Sequence, residues 1–110
     1  MLSKKDVIEI NREFHSGKIV NEGSLDYAIE TTKRSKNWLK SAAVIVRAIL
    51  ADHVFEDGNK RTAAAVMMAY LDINNLGYNQ DKVGETVVRM LKDNVTNLKK
   101  IERLIKNAIE

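Results

Sequence analysis

No proline interrupts this chain of 110 residues, and glycine occurs only five times. Proline removes a main-chain donor and collides with the preceding helical turn, so a chain without it can run helix after helix through short connections. The apolar residues bear this out. From Asn37 onward Leu39, Ala42, Ala43, Val46, Ile49 and Leu50 recur at i, i+3, i+4 and i+7, and the stripe, extended by one turn, reaches His53. Thr62 to Ile73 then contains Ala63, Ala64, Ala65, Val66, Met67, Met68, Ala69, Tyr70 and Leu71, which is apolar on nearly every side and therefore belongs in the middle of a bundle.

The flanking segments follow the same period. Ser3 caps a first helix expected from about Lys4 to His15, with Val7, Ile10 and Phe14 inward and a stop at Gly17. His15 in its last turn reads as a partly exposed residue suited to a helix C-terminus. Between Gly17 and Gly23 the Ile19-Val20 centre has β preference, which predicts a short hairpin or extended flap. Ser24 is the expected cap of a second helix carrying Leu25, Ala28 and Ile29 inward, and Trp38 a core or groove residue at the start of the third. After the fourth helix Gly77 is the natural left-handed C-terminal residue. Asp81 opens a fifth helix with Val83, Val87, Met90 and Leu91 inward, and Thr96 or Asn97 caps a sixth with Leu98, Ile101, Ile105 and Ala108. The expected fold is all-α, a single-domain helical bundle over residues 1–110 of about six helices around a central buried helix, the fourth, with a short β-hairpin flap.

Composition narrows the class of function. Apolar residues at 45% and charged residues at 30% are the balance of a folded globule. The chain has no cysteine, which excludes disulfides and thiolate metal sites and leaves oxygen or imidazole ligands for any metal. Its longest apolar run, Ala63 to Leu71, falls short of the ~18 residues of a membrane span. Met1-Leu2-Ser3-Lys4-Lys5-Asp6 lacks the apolar centre of a signal peptide, so a cytoplasmic protein is expected, with no membrane partner. The net charge of +3 is spread along the chain. Its two denser spots, Lys33-Arg34-Ser35-Lys36 and Lys99-Lys100, have no interleaved aromatics, which argues against a nucleic-acid binder.

Chemistry concentrates between the third and fourth helices, in His53-Val54-Phe55-Glu56-Asp57-Gly58-Asn59-Lys60-Arg61-Thr62. Lys60 and Arg61 occupy the first turn of a helix, where the macrodipole disfavours cations by roughly 0.3–1 kcal/mol each. A bound anion reverses that sign, because free N–H groups and both cations then face negative charge. Gly58 lets main-chain amides close on phosphate oxygens, and Asn59 tolerates unusual dihedrals and can hold the loop through its side chain. Asp57 is a carboxylate able to carry Mg²⁺, which needs one or two carboxylates besides phosphate oxygens. His53 is the base suited to removing a proton from a hydroxyl near neutral pH. Phe55 is the buried pin that keeps the loop packed.

This stretch resembles the signature loop of the Fic/Doc superfamily, commonly written His-Pro-Phe-x-Asp/Glu-Gly-Asn-Gly-Arg, with matches at His53, Phe55, Asp57, Gly58, Asn59 and Arg61. The helix order also resembles the Fic core over most of the chain, although only the loop is specific. The resemblance implies that His53 is the general base, that Asp57 positions Mg²⁺, that Gly58 and Asn59 form the anion-binding turn, and that Arg61, with Lys60 beside it, contacts nucleotide phosphates. ATP would be the substrate and Mg²⁺ the cofactor. The family's target-aligning flap would fall at about Lys18, Ile19, Val20, Asn21 and Glu22, in the β-leaning segment.

The departures from the motif choose a branch. Val54 replaces the usual Pro, Lys60 stands where adenylyl-transferring members have a second Gly, and Ala64 stands where they carry a further Arg. Lys60 and Ala64 resemble the Doc, or death-on-curing, toxins, which transfer the terminal phosphoryl group of ATP to a hydroxyl of elongation factor Tu. The expected activity is therefore ATP-dependent phosphoryl transfer to a Ser, Thr or Tyr hydroxyl of a target protein, plausibly that elongation factor. The alternatives are Fic-type adenylyl transfer and a catalytically silent nucleotide- or antitoxin-binding module. The self-inhibitory Ser/Thr-x-x-x-Glu-Gly/Asn motif of many Fic proteins is absent, since Lys18 lies four residues before Glu22-Gly23. Restraint would then come from a separate antitoxin protein.

Overall fold

The structure is a computed structural model that describes all 110 residues. Six α-helices follow in order: α1 Lys4–Arg12, α2 Glu22–Lys33, α3 Trp38–Ala51, α4 Asn59–Ile73, α5 Gln80–Lys92 and α6 Leu98–Lys106. Five of them begin at a side chain that accepts an N–H of the first turn: Ser3, Asn21, Asn37, Asn79 and Asn97. Each such cap stabilises its helix by about 1 kcal/mol, so the boundaries are fixed locally as well as by packing. At Ser3 the arrangement is reciprocal, with Asp6 accepting the Ser3 N–H at 2.8 Å. α4 is the exception and starts at Gly58 with no side-chain cap.

One core of 28 buried apolar residues draws on all six helices. The six-helix, all-α expectation holds, but the centre is α3 rather than α4. Ten of the 14 residues of α3 are buried, against seven of 15 in α4, and α3 packs on α2, α4, α5 and α6. The reason lies in position along the chain. α4 covers one face of α3 and receives α1 and α5 on its own flanks, so its half-buried Ala64, Ala65, Met68 and Ala69 lie towards the edge of the core. Trp38 is half-buried at the core margin.

α1 stops three residues early. After Arg12 the chain tightens, with the Glu13 N–H reaching Ile10 O at 3.2 Å and the Phe14 N–H reaching Asn11 O at 3.0 Å. Phe14 consequently turns outward and is 42% exposed, while the buried residue one turn beyond Val7 is polar, Asn11. The cap of α2 is Asn21 and not Ser24, so Glu22 and Gly23 are helical. That leaves too little chain for two paired strands, and the β-hairpin flap does not form. Instead an extended segment, Lys18 to Val20, makes an isolated antiparallel bridge from Ile19 to Phe55 of the central loop.

Three helices end on a non-glycine residue in the left-handed region: His53 after α3 (φ 53°), Asn75 after α4 (φ 56°) and Asn94 after α5 (φ 48°). The expected left-handed Gly77 is therefore corrected to Asn75, two residues nearer the helix. At Asn75 and Asn94 the turn closes through Leu76 N–H to Leu71 O (3.0 Å) and Val95 N–H to Met90 O (2.9 Å), and Asn accepts this conformation at low cost. His53 is the only one of the three that is not Asn. No helix is long and apolar enough to cross a membrane.

Candidate functional site

His53 does not arrive as the end of a buried stripe. α3 ends at Ala51, Asp52 follows as its C-terminal cap, and the His53 side chain is exposed. What holds it is the main chain on either side. The Asp52 carbonyl accepts Asn21 Nδ2 at 2.8 Å, and its carboxylate accepts the Ser24 hydroxyl. The Val54 carbonyl accepts the N–H of Val20 (2.8 Å) and of Asn21 (3.1 Å), and Val54 itself is fully buried. His53 is thus a left-handed residue between two residues tied to the start of α2, its side chain presented by a fixed backbone at a conformational cost the neighbours must outweigh.

Phe55 is fully buried, as the pin requires. Its N–H donates to Asn59 Oδ1 at 3.0 Å and its carbonyl accepts Asn59 Nδ2 at 2.9 Å, which closes the loop with both polar atoms of one carboxamide. The Asn59 side chain is thus committed to the loop, and what Asn59 offers an anion is its main-chain N–H. From the other side the Glu56 N–H reaches Lys18 O at 3.0 Å, so the extended segment and the loop form one unit.

Gly58 lies in the left-handed region at φ 77°, and its carbonyl accepts the Thr62 N–H at 2.9 Å. The N–H groups of Asn59, Lys60 and Arg61 have no intramolecular acceptor. Neither Lys60 nor Arg61 has a carboxylate within ion-pair distance, whereas Lys18 has Glu56 at 3.6 Å. Three free donors and two unpaired cations at the positive end of a 15-residue helix are groups to which an anion would be attracted.

These residues share an open pocket of about 500 Å³ with no hydrophobic lining, formed by the loop from Glu56 to Arg61 together with His53 and His15. His53, Asp57, Gly58, Asn59, Lys60 and Arg61 are therefore brought together, Phe55 lies beneath them, and Lys18 to Asn21 flank the loop. Glu22 is drawn away into α2 and pairs with Lys4 at 2.7 Å. No group of three or more His, Asp or Glu side chains gathers to cage a metal. Asp57 is an exposed carboxylate at the start of α4 and its neighbour Glu56 pairs with Lys18, which fits an ion held mostly by phosphate oxygens and water and does not fit a resident all-protein site.

Two residues of the site escape the sequence reading. Asn11, 1% exposed, donates to the Asp57 carbonyl (3.0 Å) and to Thr62 Oγ1 (2.9 Å) and accepts the Gly17 N–H (2.9 Å). One side chain thereby joins α1, the root of the extended segment, the loop and α4. Its signal was present, since Asn11 falls one turn beyond Val7 on the buried face where an apolar residue would otherwise belong. The other is His15, whose ring lies against Gly58. Nothing in its local sequence places it there.

An all-α core thus presents a histidine, a helix start with free donors and cations, and a carboxylate in one pocket. The Fic/DOC family model matches residues 2–71, which includes the whole of this site, and the chain belongs to that family. α5 and α6 lie beyond the match. No curated protein matches the chain. Family membership implies nucleotidyl or phosphoryl transfer to protein.

Proposed function

We propose that this protein transfers the terminal phosphoryl group of ATP to a hydroxyl side chain of a protein target, as in the Doc branch of the family. The observation that carries the proposal is the start of α4, with three unpartnered N–H groups, a left-handed Gly58 and the unpaired Lys60 and Arg61 in one pocket with His53. His53 takes the proton from the target hydroxyl as its oxygen attacks the γ-phosphorus. The bond to the bridging oxygen breaks and ADP leaves. Charge on the transferring oxygens is met by the amides, fixed before reaction by the helix and so requiring little reorganisation, and by Arg61. Mg²⁺, held by Asp57 and phosphate oxygens, would neutralise the triphosphate.

Lys60 and Ala64 favour phosphoryl over adenylyl transfer. A lysine at position 60 adds a cation at the first turn, and Ala64, one turn on, supplies no second guanidinium for the remaining phosphates. The target would pair with the outer edge of the extended segment. Ile19 has both its N–H and its carbonyl free, and Val20 is 54% exposed beside it, which is an edge that a peptide strand can join. An elongation factor is the target class the branch suggests, and a separate antitoxin protein would supply restraint.

Mass spectrometry of a translation elongation factor after incubation with the protein and MgATP tests this. An added phosphate supports the proposal, an added AMP replaces it with adenylyl transfer, and no modification with wild type alongside unaltered ATP binding identifies a silent nucleotide-binding module.

A further inference from the structure

Both histidines of the chain line the same pocket, and only His53 has so far been given a role. His15 reaches it because α1 ends at Arg12 and the following turn carries the ring over the start of α4. A Cβ placed on Gly58 would come 2.1 Å from Cδ2 of His15 and 2.7 Å from its Nε2, so the edge of the ring bearing Nε2 lies directly on the glycine that opens α4. The backbone behind the ring is fixed. The His15 N–H donates to Asn11 O at 2.8 Å, and Asn11 is bonded to the Asp57 carbonyl and to Thr62. The imidazole has no carboxylate within ion-pair distance and shares its pocket with the three free N–H groups and the two unpaired cations.

A ring nitrogen at the rim of a cluster made otherwise of donors places one more donor where a ligand rich in acceptors would sit. Resting on the phosphoryl-transfer reading of the site, we propose that His15 is a further phosphate-binding residue, its Nε2–H donating to a polyphosphate oxygen seated at the α4 N-terminus. The contact also gives Gly58 a second reason to be glycine. Besides its left-handed φ, any side chain there would push the His15 ring off the site.

Calorimetric titration of the full chain with tripolyphosphate and with ATP tests the assignment, alongside transfer of the γ-phosphoryl label by the wild type. The ring is exposed, so His15→Ala should melt like the wild type while binding both ligands about tenfold more weakly, a loss of the size a charged hydrogen bond commands. His15→Gln, which retains an N–H donor, should recover part of it. Equal loss for the two ligands assigns the contact to phosphate, whereas a loss confined to ATP places His15 on the nucleoside and overturns the proposal. Unchanged or tighter binding by His15→Ala, with the wild type still transferring label, overturns the role of His15 and leaves the transfer reading standing. A wild type that neither binds nor transfers removes both.

Discussion

Replacing Asn11 with Ala removes the one side chain that joins four parts of the site, and the cost can be worked from its bonds. The bond to Thr62 Oγ1 is buried, and those to Asp57 O and from Gly17 N–H are partly so. At about 1 kcal/mol for each net bond, the loss is roughly 3 kcal/mol before any cavity is counted. An unfolding entropy of about 2.1 cal/mol/K per residue converts this to a fall in Tm of roughly 10–15 °C for 110 residues. Calorimetric or far-ultraviolet melting of the two proteins measures it. Asn11→Asp sharpens the test, because a carboxylate keeps the acceptor for Gly17 but faces the Asp57 carbonyl with no donor. It should be at least as unstable as Asn11→Ala at neutral pH and should recover on acidification, when the protonated acid can donate again. A fall of less than about 3 °C for Asn11→Ala would show that the three bonds are not holding the loop to α1, and the reasoning would fail.

Other consequences follow from single residues. His53→Gly should abolish transfer yet leave stability equal or higher by about 0.5–1 kcal/mol, because glycine relieves the left-handed backbone; a clear loss in a denaturant titration would contradict the strain at this position. Gly58→Ala should cost roughly 1–2 kcal/mol and weaken polyphosphate binding, through the φ of 77° and the displaced His15 ring; wild-type binding by a folded Gly58→Ala would sink that account. Burial raises the pKa of the Tyr70 phenol above its ordinary value of 10.0. The folded state therefore favours the neutral phenol, so the stability it contributes is present below pH 10 and lost as pH rises through the folded pKa. The difference in stability between wild type and Tyr70→Phe should accordingly be flat at neutral pH and change above pH 10, and a difference independent of pH throughout would contradict it.

Much of this was legible in the sequence because it depends on local rules. The helix period located six helices, and the loop from His53 to Arg61 announced itself through cations where a helix dipole disfavours them. The misjudged parts depend on tertiary bonds. Ile19 and Val20 carry a β preference, but whether they pair with each other's neighbours or with Phe55 is decided by where Asn21 starts α2. His53 looked like the end of a packed stripe because the periodicity continues to it, while the chain leaves the helix at Asp52, which is tied down by Asn21 and Ser24 from 28 or more residues away. Phe14, expected inward, is exposed and Asn11 is buried for a related reason. A buried asparagine is tolerable only with all its partners in place, and those partners, Gly17, Asp57 and Thr62, lie beyond any local window. The centre of the bundle fell on α3 and not α4 because apolar composition all round a helix does not say how many neighbours cover it.

The most direct measurement is the transfer of label from ATP carrying it at either the γ- or the α-phosphate to a translation elongation factor, by the wild type and by His53→Ala. The account predicts γ-label on the protein target with the wild type, none with His53→Ala, and no α-label with either. Transfer of the α-label, or γ-transfer undiminished by His53→Ala, would contradict it.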